Sequence, residues 1–431
     1  MRFASTRGLA PLARLGAALA AGLAPDGGLY VPETLPSFSP SDFEGLHTLP
    51  TVAARLLQPF FQGDPLVTSL TAICREAFDV EPPLRPLGAS GDFVLELFHG
   101  PTAAFKDYGA RFLAACLAAQ SAGGAPLTIL VATSGDTGAA VAAAFHRRPG
   151  FRVVILYPDG RVSPRQAHQL GCFGGNVQAL RVQGSFDDCQ RLAKAALGDV
   201  ALRGDVPLSS ANSISLGRLL PQMAYYAHAS LAHWRQHGRP LSFVVPTGNL
   251  GNGLACLLAR RMGLPIAEVA LASNANSVLP VFFAGGDYRP RASVATLANA
   301  MDVGAPSNFE RLTWLHPEPE VLRGAVHAGS VSDAEIRDAL RDAHVRLGET
   351  LCPHTATAAR LLKRLRGQGL AGDACIVATA HPAKFPEVVE PLVGGAVTLP
   401  EALAAMLARP SHAAPLSAQE QALAVHLRGC A

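Results

Sequence analysis

Lys106 is the residue with the clearest capacity for chemistry. It stands in FHGPTAAFKDYGARFL, residues 98–113, after a strand-like run, Phe93-Val94-Leu95-Glu96-Leu97-Phe98. Beyond it Tyr108, Phe112, Leu113, Cys116 and Leu117 recur at helical spacing. Gly100 and Pro101 make a turn between the two, which places Lys106 near the first turn of the new helix. Cations suit the opposite end of a helix dipole. An amine held near the positive end and partly desolvated has its pKa pushed down, and a neutral amine is what imine formation with a carbonyl requires. Alone, the window reads more readily as a solvated lysine on a turn, since most lysines are surface residues.

Three further loops have residue types suited to anions. Thr133-Ser134-Gly135-Asp136-Thr137-Gly138 follows the apolar run Leu127–Ala132 and precedes a helical pattern, so its backbone N–H groups could cradle an anion or simply be capped by Ser, Thr or Asp. In Ser210-Ala211-Asn212-Ser213-Ile214-Ser215-Leu216-Gly217-Arg218, Asn212 or Ser213 can cap a helix running to about Leu231, with Arg218 little more than a turn along. Serine plus arginine at a helix start suits a phosphate, although a cap plus a surface arginine explains the same residues. Ser242–Pro246 reads as a strand, and Thr247-Gly248-Asn249-Leu250-Gly251-Asn252-Gly253 follows it into a helical pattern at Leu254, Leu257, Leu258 and Met262. Glycines there let backbone amides approach phosphate oxygens. The spacing is GxxGxG, which is not the dinucleotide fingerprint GxGxxG, and no GxxxxGK[ST] occurs.

Together these motifs resemble the threonine synthases, and the resemblance runs from about residue 5 to residue 388 with the motifs in the family's order. HGPT-x-x-FKD carries the lysine that forms the Schiff base with pyridoxal 5′-phosphate (PLP) in that family, and Lys106 is the matching position. Ser5-Thr6-Arg7-Gly8 and Gly22–Tyr30 resemble the N-terminal signature of the bacterial members. Tyr157-Pro158-x-Gly160-x-Val162-Ser163-Pro164 and Gly184-x-Phe186-Asp187-Asp188 match as scaffold, and Ala300–Arg311 and Thr379–Phe385 complete the series. The resemblance implies PLP fold type II: two parallel-sheet α/β domains with the active site between them, plus a mainly helical N-terminal extension. It implies that Gly248, Asn249, Leu250, Gly251 and Asn252 hold the PLP phosphate and that Thr379 bonds the pyridine nitrogen. Ser134, Asp136 and Thr137 would bind the substrate carboxylate, and Ser213 and Arg218 the phosphate of O-phospho-L-homoserine. The implied reaction is conversion of O-phospho-L-homoserine and water to L-threonine and phosphate by γ-elimination and β-addition of water. Another type II lyase, a phosphohomoserine lyase or serine/threonine dehydratase, is the alternative. Family members usually carry Asn-Asp where this chain has Asn276-Ser277, and Asp where Cys352 precedes the Pro353-His354-Thr355-Ala356 run.

The elements that must position these residues follow from the rest of the chain. From Asp92 onward apolar runs and helical patterns alternate: strands at 127–132, 153–157 and 177–182, helices at 137–146, 164–170 and 186–197. This is the rhythm of a parallel sheet covered by helices. Residues 1–84 are expected to form the extension, 85–130 with 216–431 the larger PLP-binding domain, and 131–215 the smaller one. The chain has 431 residues, 49% of them hydrophobic and 16% charged, which suits a large packed core. A net charge of +3 gives no footprint for nucleic acid. Eight cysteines are scattered without a CxxC pair, which indicates neither a metal site nor a disulfide framework and fits reduced thiols in a cytoplasm. Arg14 interrupts the apolar stretch Gly8–Ala24, and no small-residue cleavage site ends it, so neither a signal peptide nor a membrane span is expected. His354 and His381 are expected to be satisfied structural residues. The expected enzyme is cytoplasmic, a monomer or homodimer, with a small-molecule substrate and no bound metal.

Overall fold

The computed structural model describes all residues of the chain except 89, 90, 122, 124, 430 and 431. Two sheets carry the fold. The larger has six strands in the order His327–Ser330, Ile266–Ser273, Leu241–Pro246, Ala374–Ala378, Asp92–Glu96 and Leu84–Pro86. All neighbours in it are parallel except the last pair. The smaller has five strands, all parallel, in the order Ala414–Ser417, Val177–Gln183, Phe151–Pro158, Leu127–Ala132 and Leu208–Ser210. Parallel strands need crossover helices on both faces and so read as continuous apolar runs rather than alternating ones. Ile129, Leu130, Val131, Val153, Val154, Ile155 and Leu156 are accordingly all shut off from solvent.

Two of the expected domain limits are corrected by this topology. Residue 130 falls inside a single strand, Leu127–Ala132, which belongs wholly to the smaller sheet. Residues 414–417, expected in the larger domain, return to the smaller sheet as its edge strand beside Val177–Gln183. Neither was visible locally, because strand membership is decided by the partner and not by the strand's own composition.

The first 84 residues brace the larger unit. Phe3–Ser5 pairs antiparallel with Tyr30–Pro32. Helix Leu49–Phe61 buries Leu49, Val52, Ala53, Leu56, Leu57, Phe60 and Phe61, an i, i+3, i+4, i+7 stripe. That stripe packs on helix Gln222–His237. Phe61 and Phe78 both pack on Phe112 of helix Lys106–Gln120, at centroid distances of 6.2 and 6.0 Å. The extension therefore stiffens the helix that Lys106 begins.

The same extension is tied to the functional loops through Arg311, which is fully buried. Its Nε donates to Tyr30 O at 3.0 Å, Nη1 to Asn308 Oδ1 at 2.7 Å, and Nη2 to Ile214 O at 2.7 Å. Burial pushes its pKa down to about 9, yet the guanidinium is retained because it satisfies acceptors on three separate segments. Cys74, Cys116, Cys172, Cys189, Cys256, Cys352 and Cys375 are buried and unpaired; Cys430 lies outside the described residues. Among the described residues no helix is long and apolar enough to cross a membrane.

Candidate active site

One cavity between the two sheets is lined by every residue singled out from the sequence: Lys106; Ser134, Asp136 and Thr137; Ser213 and Arg218; Gly248 to Asn252; and Thr379. The larger sheet contributes the loop after Leu241–Pro246 and the one after Ala374–Ala378. The smaller contributes the loop after Leu127–Ala132. All three leave the carboxyl ends of parallel strands, where open α/β sheets place their ligand sites.

Lys106 is the first residue of its helix, and its amine opens on this cavity. Surrounding protein pushes its pKa down to about 8; Asp136 pulls it up, while Arg218 and Lys384 add to the depression. Roughly a tenth is therefore neutral at pH 7, far more than for an unshifted lysine. Phe105 N donates to Thr379 O at 2.8 Å, which ties the start of the lysine helix to the end of the central strand. The hydroxyl of Thr379 has no partner among the described residues and faces the same cavity.

The Thr133–Gly138 loop is built by its own side chain. Thr133 Oγ1 accepts from Gly135 N and Gly138 N, each at 3.0 Å, so of the Ser, Thr and Asp candidates it is Thr133 that satisfies these amides. Gly135 has φ 137°, and a Cβ there would sit 2.7 Å from the Gln166 amide, so a side chain at this position would be strained and would displace Gln166. Ser134 and Thr137 stay half-open to the cavity. Asp136 does not: its Oδ1 is 2.7 Å from Lys384 Nζ and 2.9 Å from Gln166 Nε2, with both ends of the ion pair buried. The two lysines together hold its carboxyl well below the usual range against the opposing effect of burial.

The expected helix beginning at Asn212 or Ser213 and running to Leu231 is corrected. A short helix, Leu216–Leu219, starts after Ser215, and Pro221 interrupts before helix Gln222–His237. Ser213 is left in the loop, bonded by Asn249 Nδ2. Asn249 Oδ1 in turn accepts from Ser307 N, and Asn308 Nδ2 donates to Asn249 O at 3.0 Å. Arg218 is buried; Nη1 donates to Ala211 O at 2.7 Å, while Nε has no partner among the described residues. Desolvation pushes it down to about 10, which leaves it charged at neutral pH.

In the glycine-rich loop the roles of the glycines divide. A Cβ on Gly248 would sit 2.7 Å from Met301 Cα, so this glycine permits the close approach of the Asn299–Met301 turn. A Cβ on Gly251 would meet protein atoms only at 3.6 Å or more, so its open side is the cavity. Gly251 begins helix Gly251–Arg261, whose first amides are free of intrahelical partners. Asn252 Oδ1 accepts from the hydroxyls of Tyr225 and Tyr226 at 2.5 and 2.8 Å, but its buried Nδ2 has no partner among the described residues. Free helix amides, a buried donor without a partner and an open glycine fit a phosphate group. With the Lys106 amine and the Thr379 hydroxyl on the same cavity, the donor set fits pyridoxal phosphate. Gly251→Val is expected to raise the PLP dissociation constant about tenfold, equivalent to about 1.4 kcal/mol, with circular dichroism unchanged. Fluorescence titration of the apoprotein checks this, and unaltered affinity would place the phosphate in another loop.

Several contributors were not singled out from sequence. Lys384 lay in the quoted Thr379–Phe385 run without a role. His354 lines the cavity rather than merely filling the core; its Nε2 accepts from Ala300 N at 3.1 Å, and burial pushes it down to about 4, so the ring is neutral. Cys352 caps helix Pro353–Gly367 with Sγ accepting from Thr355 N at 3.4 Å.

Comparison with known proteins accords with this arrangement. The family described as "Pyridoxal-phosphate dependent enzyme" matches residues 86–380, "Threonine synthase N terminus" residues 2–78, and "Threonine synthase, C-terminal" residues 355–426. The threonine synthase of Serratia marcescens is 41% identical over 404 residues, 93% of each chain. The crystal structure of threonine synthase from Escherichia coli superposes with a TM-score of 0.92 at 37% identity over 100% of both chains. That of PLP-bound threonine synthase from Brucella melitensis superposes with a TM-score of 0.89 at 35% identity, over 100% of this chain and 99% of that one. Two facing parallel sheets around a lysine-bearing cavity are thus those of a PLP-dependent lyase of fold type II. Within that class, the chain belongs to the threonine synthase family.

Proposed function

We propose that this chain converts O-phospho-L-homoserine and water to L-threonine and inorganic phosphate. The observation that carries the reading is the placement of Ser213 and the buried cation Arg218 on the same cavity as Lys106 and the Ser134–Thr137 loop. A substrate held by its carboxylate at Ser134 and Thr137, with its α-carbon at Lys106, can then present a γ-phosphate to Arg218. A guanidinium pairs bidentately with phosphate and offsets the charge that grows as the C–O bond breaks.

Bound in this cavity, pyridoxal phosphate supplies the electron sink for carbanionic charge at Cα and Cβ. Lys106 would hold it through its amine and, once free, would hold and move protons between Cα and Cβ. Helix amides from Gly251 onward and Asn252 Nδ2 would hold the cofactor phosphate, and Thr379 would offer its neutral hydroxyl to the ring nitrogen. Closure of the two sheets around the substrate excludes bulk water, so that one water adds at Cβ. We place the enzyme in the cytoplasm, where its seven buried free cysteines stay reduced, as a monomer or homodimer.

The test is product analysis with purified holoenzyme and O-phospho-L-homoserine. Equimolar phosphate and L-threonine are expected. Phosphate with 2-oxobutanoate and ammonia would instead make it a lyase that eliminates without adding water.

A further inference from the structure

Lys384 is among the largest fully buried side chains of the protein. It lies in the turn Pro382–Lys384 beyond strand Ala374–Ala378 of the larger sheet. Its Nζ donates to Thr102 O at 2.9 Å and stands 2.7 Å from Asp136 Oδ1, at the start of the helix that follows strand Leu127–Ala132 of the smaller sheet. The pair thus crosses between the two sheets. It is flanked by other crossings: Asn299 Nδ2 donates to Gln166 Oε1 at 3.0 Å, and Gln169 Nε2 to Thr102 O at 3.3 Å.

A buried ammonium without a counter-ion is costly, and a buried carboxylate equally so. Asp136 has two lysines within electrostatic reach, Lys384 and Lys106. It pairs with Lys384, while among the described residues Lys106 forms no ion pair. The other charged groups facing Lys106 do not change this. Arg218 repels it. His354 is neutral. Asp107, its neighbour on the helix, is committed to Thr102, with Oδ2 accepting from Thr102 N at 2.9 Å and Oδ1 from Thr102 Oγ1 at 2.6 Å.

We propose that Lys384 is a positioning residue that claims the Asp136 carboxylate and so keeps Lys106 from becoming that carboxylate's counter-ion. Without Lys384, Asp136 would recruit Lys106 as an ammonium, which is neither a nucleophile toward an aldehyde nor a proton acceptor. The proposal rests on Lys106 being the lysine that carries the cofactor.

The two members of the pair must therefore act on Lys106 in opposite directions. In Lys384→Gln, which keeps a donor for Thr102 O, repulsion is lost and attraction remains, so the ionisation midpoint of Lys106 rises by about one pH unit or more. In Asp136→Asn the attraction is lost and the midpoint falls. In the double variant it lies between the two, and Lys384→Arg stays near the parent. The readout is competitive labelling of the full-length apoprotein with fluorodinitrobenzene across pH, quantified on the Lys106 peptide by mass spectrometry, which does not depend on turnover. The rate of PLP linkage at neutral pH should fall about tenfold in Lys384→Gln, in step with the smaller neutral fraction.

Midpoints that move together, or do not move in folded variants, would make the pair purely structural and overturn the proposal. Should Lys384→Gln not fold, Asp136→Asn decides alone. A fall upholds the proposal. An unmoved midpoint overturns it, because Asp136 would then exert nothing on Lys106 for Lys384 to restrain. Borohydride reduction of the parent holoenzyme separates this from the reading beneath it: a PLP-modified peptide without Lys106 would displace the cofactor lysine itself.

Discussion

Lys106→Ala is expected to abolish any borohydride-reducible link between protein and PLP and to lose essentially all turnover. Two contributions vanish together. The covalent hold on the cofactor goes, and so does the amine that would move protons at Cα and Cβ. Positioned acid–base groups alone contribute roughly 10²–10⁴-fold, so the loss in kcat should be at least of that order. The fold should survive, because Lys106 forms no ion pair among the described residues and its helix is held by Tyr108, Phe112 and Leu113 in the core. PLP should still bind non-covalently through the loop at 248–252, only more weakly. Absorbance after reduction, peptide mass and steady-state kinetics check each part. A reducible adduct persisting in the variant would move the covalent site to another lysine.

Arg218→Ala should have the second-largest effect, and a selective one. Serine, threonine and homoserine all present the amino-acid end that the Ser134–Thr137 loop would hold, so that loop does not choose among them. O-phosphohomoserine differs by a dianion that must be held and must then leave with its charge. Interactions that strengthen toward the transition state appear in kcat, and uniform binding appears mainly in KM. Removing a desolvated charge-assisted contact costs about 2–5 kcal/mol, or roughly 30- to several-thousand-fold in kcat/KM. Slow reactions with L-serine or L-threonine should be nearly unchanged. Arg218 also packs against the lysine helix, since a Cβ on Gly109 would come within 2.9 Å of its Nε. PLP affinity should therefore be measured alongside. Equal losses on both substrate types, with weakened PLP binding, would mean that Arg218 supports the helix and that the phosphate is held elsewhere.

Much of the site was legible because its chemistry is concentrated in short strand-to-helix turns. Lys106, Ser134 and Gly251 each fall within a few residues of an apolar run, and the alternation of such runs with helical patterns indicated the parallel sheets. What escaped was whatever depends on pairing across the chain. Asp136 reads locally as a loop residue open to substrate, and nothing within ten residues announces that Lys384, more than two hundred positions away, neutralises it. The helix expected from Ser213 onward failed at Pro221 for a reason present in the sequence, since proline lacks the N–H and clashes with the preceding turn. Arg311 was visible only as a letter in a motif. Its three acceptors lie near residues 30, 214 and 308, a conjunction that exists only after folding.

The edge strand at 414–417 bears on how this protein is made. Its partner, Val177–Gln183, leaves the ribosome more than two hundred residues earlier, and at typical synthesis rates that interval is on the order of 10–50 s. Throughout it, the smaller sheet presents an uncovered flank in which Leu180 and Val182, buried in the finished protein, belong to a strand paired on one side only. The nascent chain thus passes through a window in which it can pair with a neighbour on the same polysome or be held by a chaperone. Only after residue 417 has emerged can that flank close.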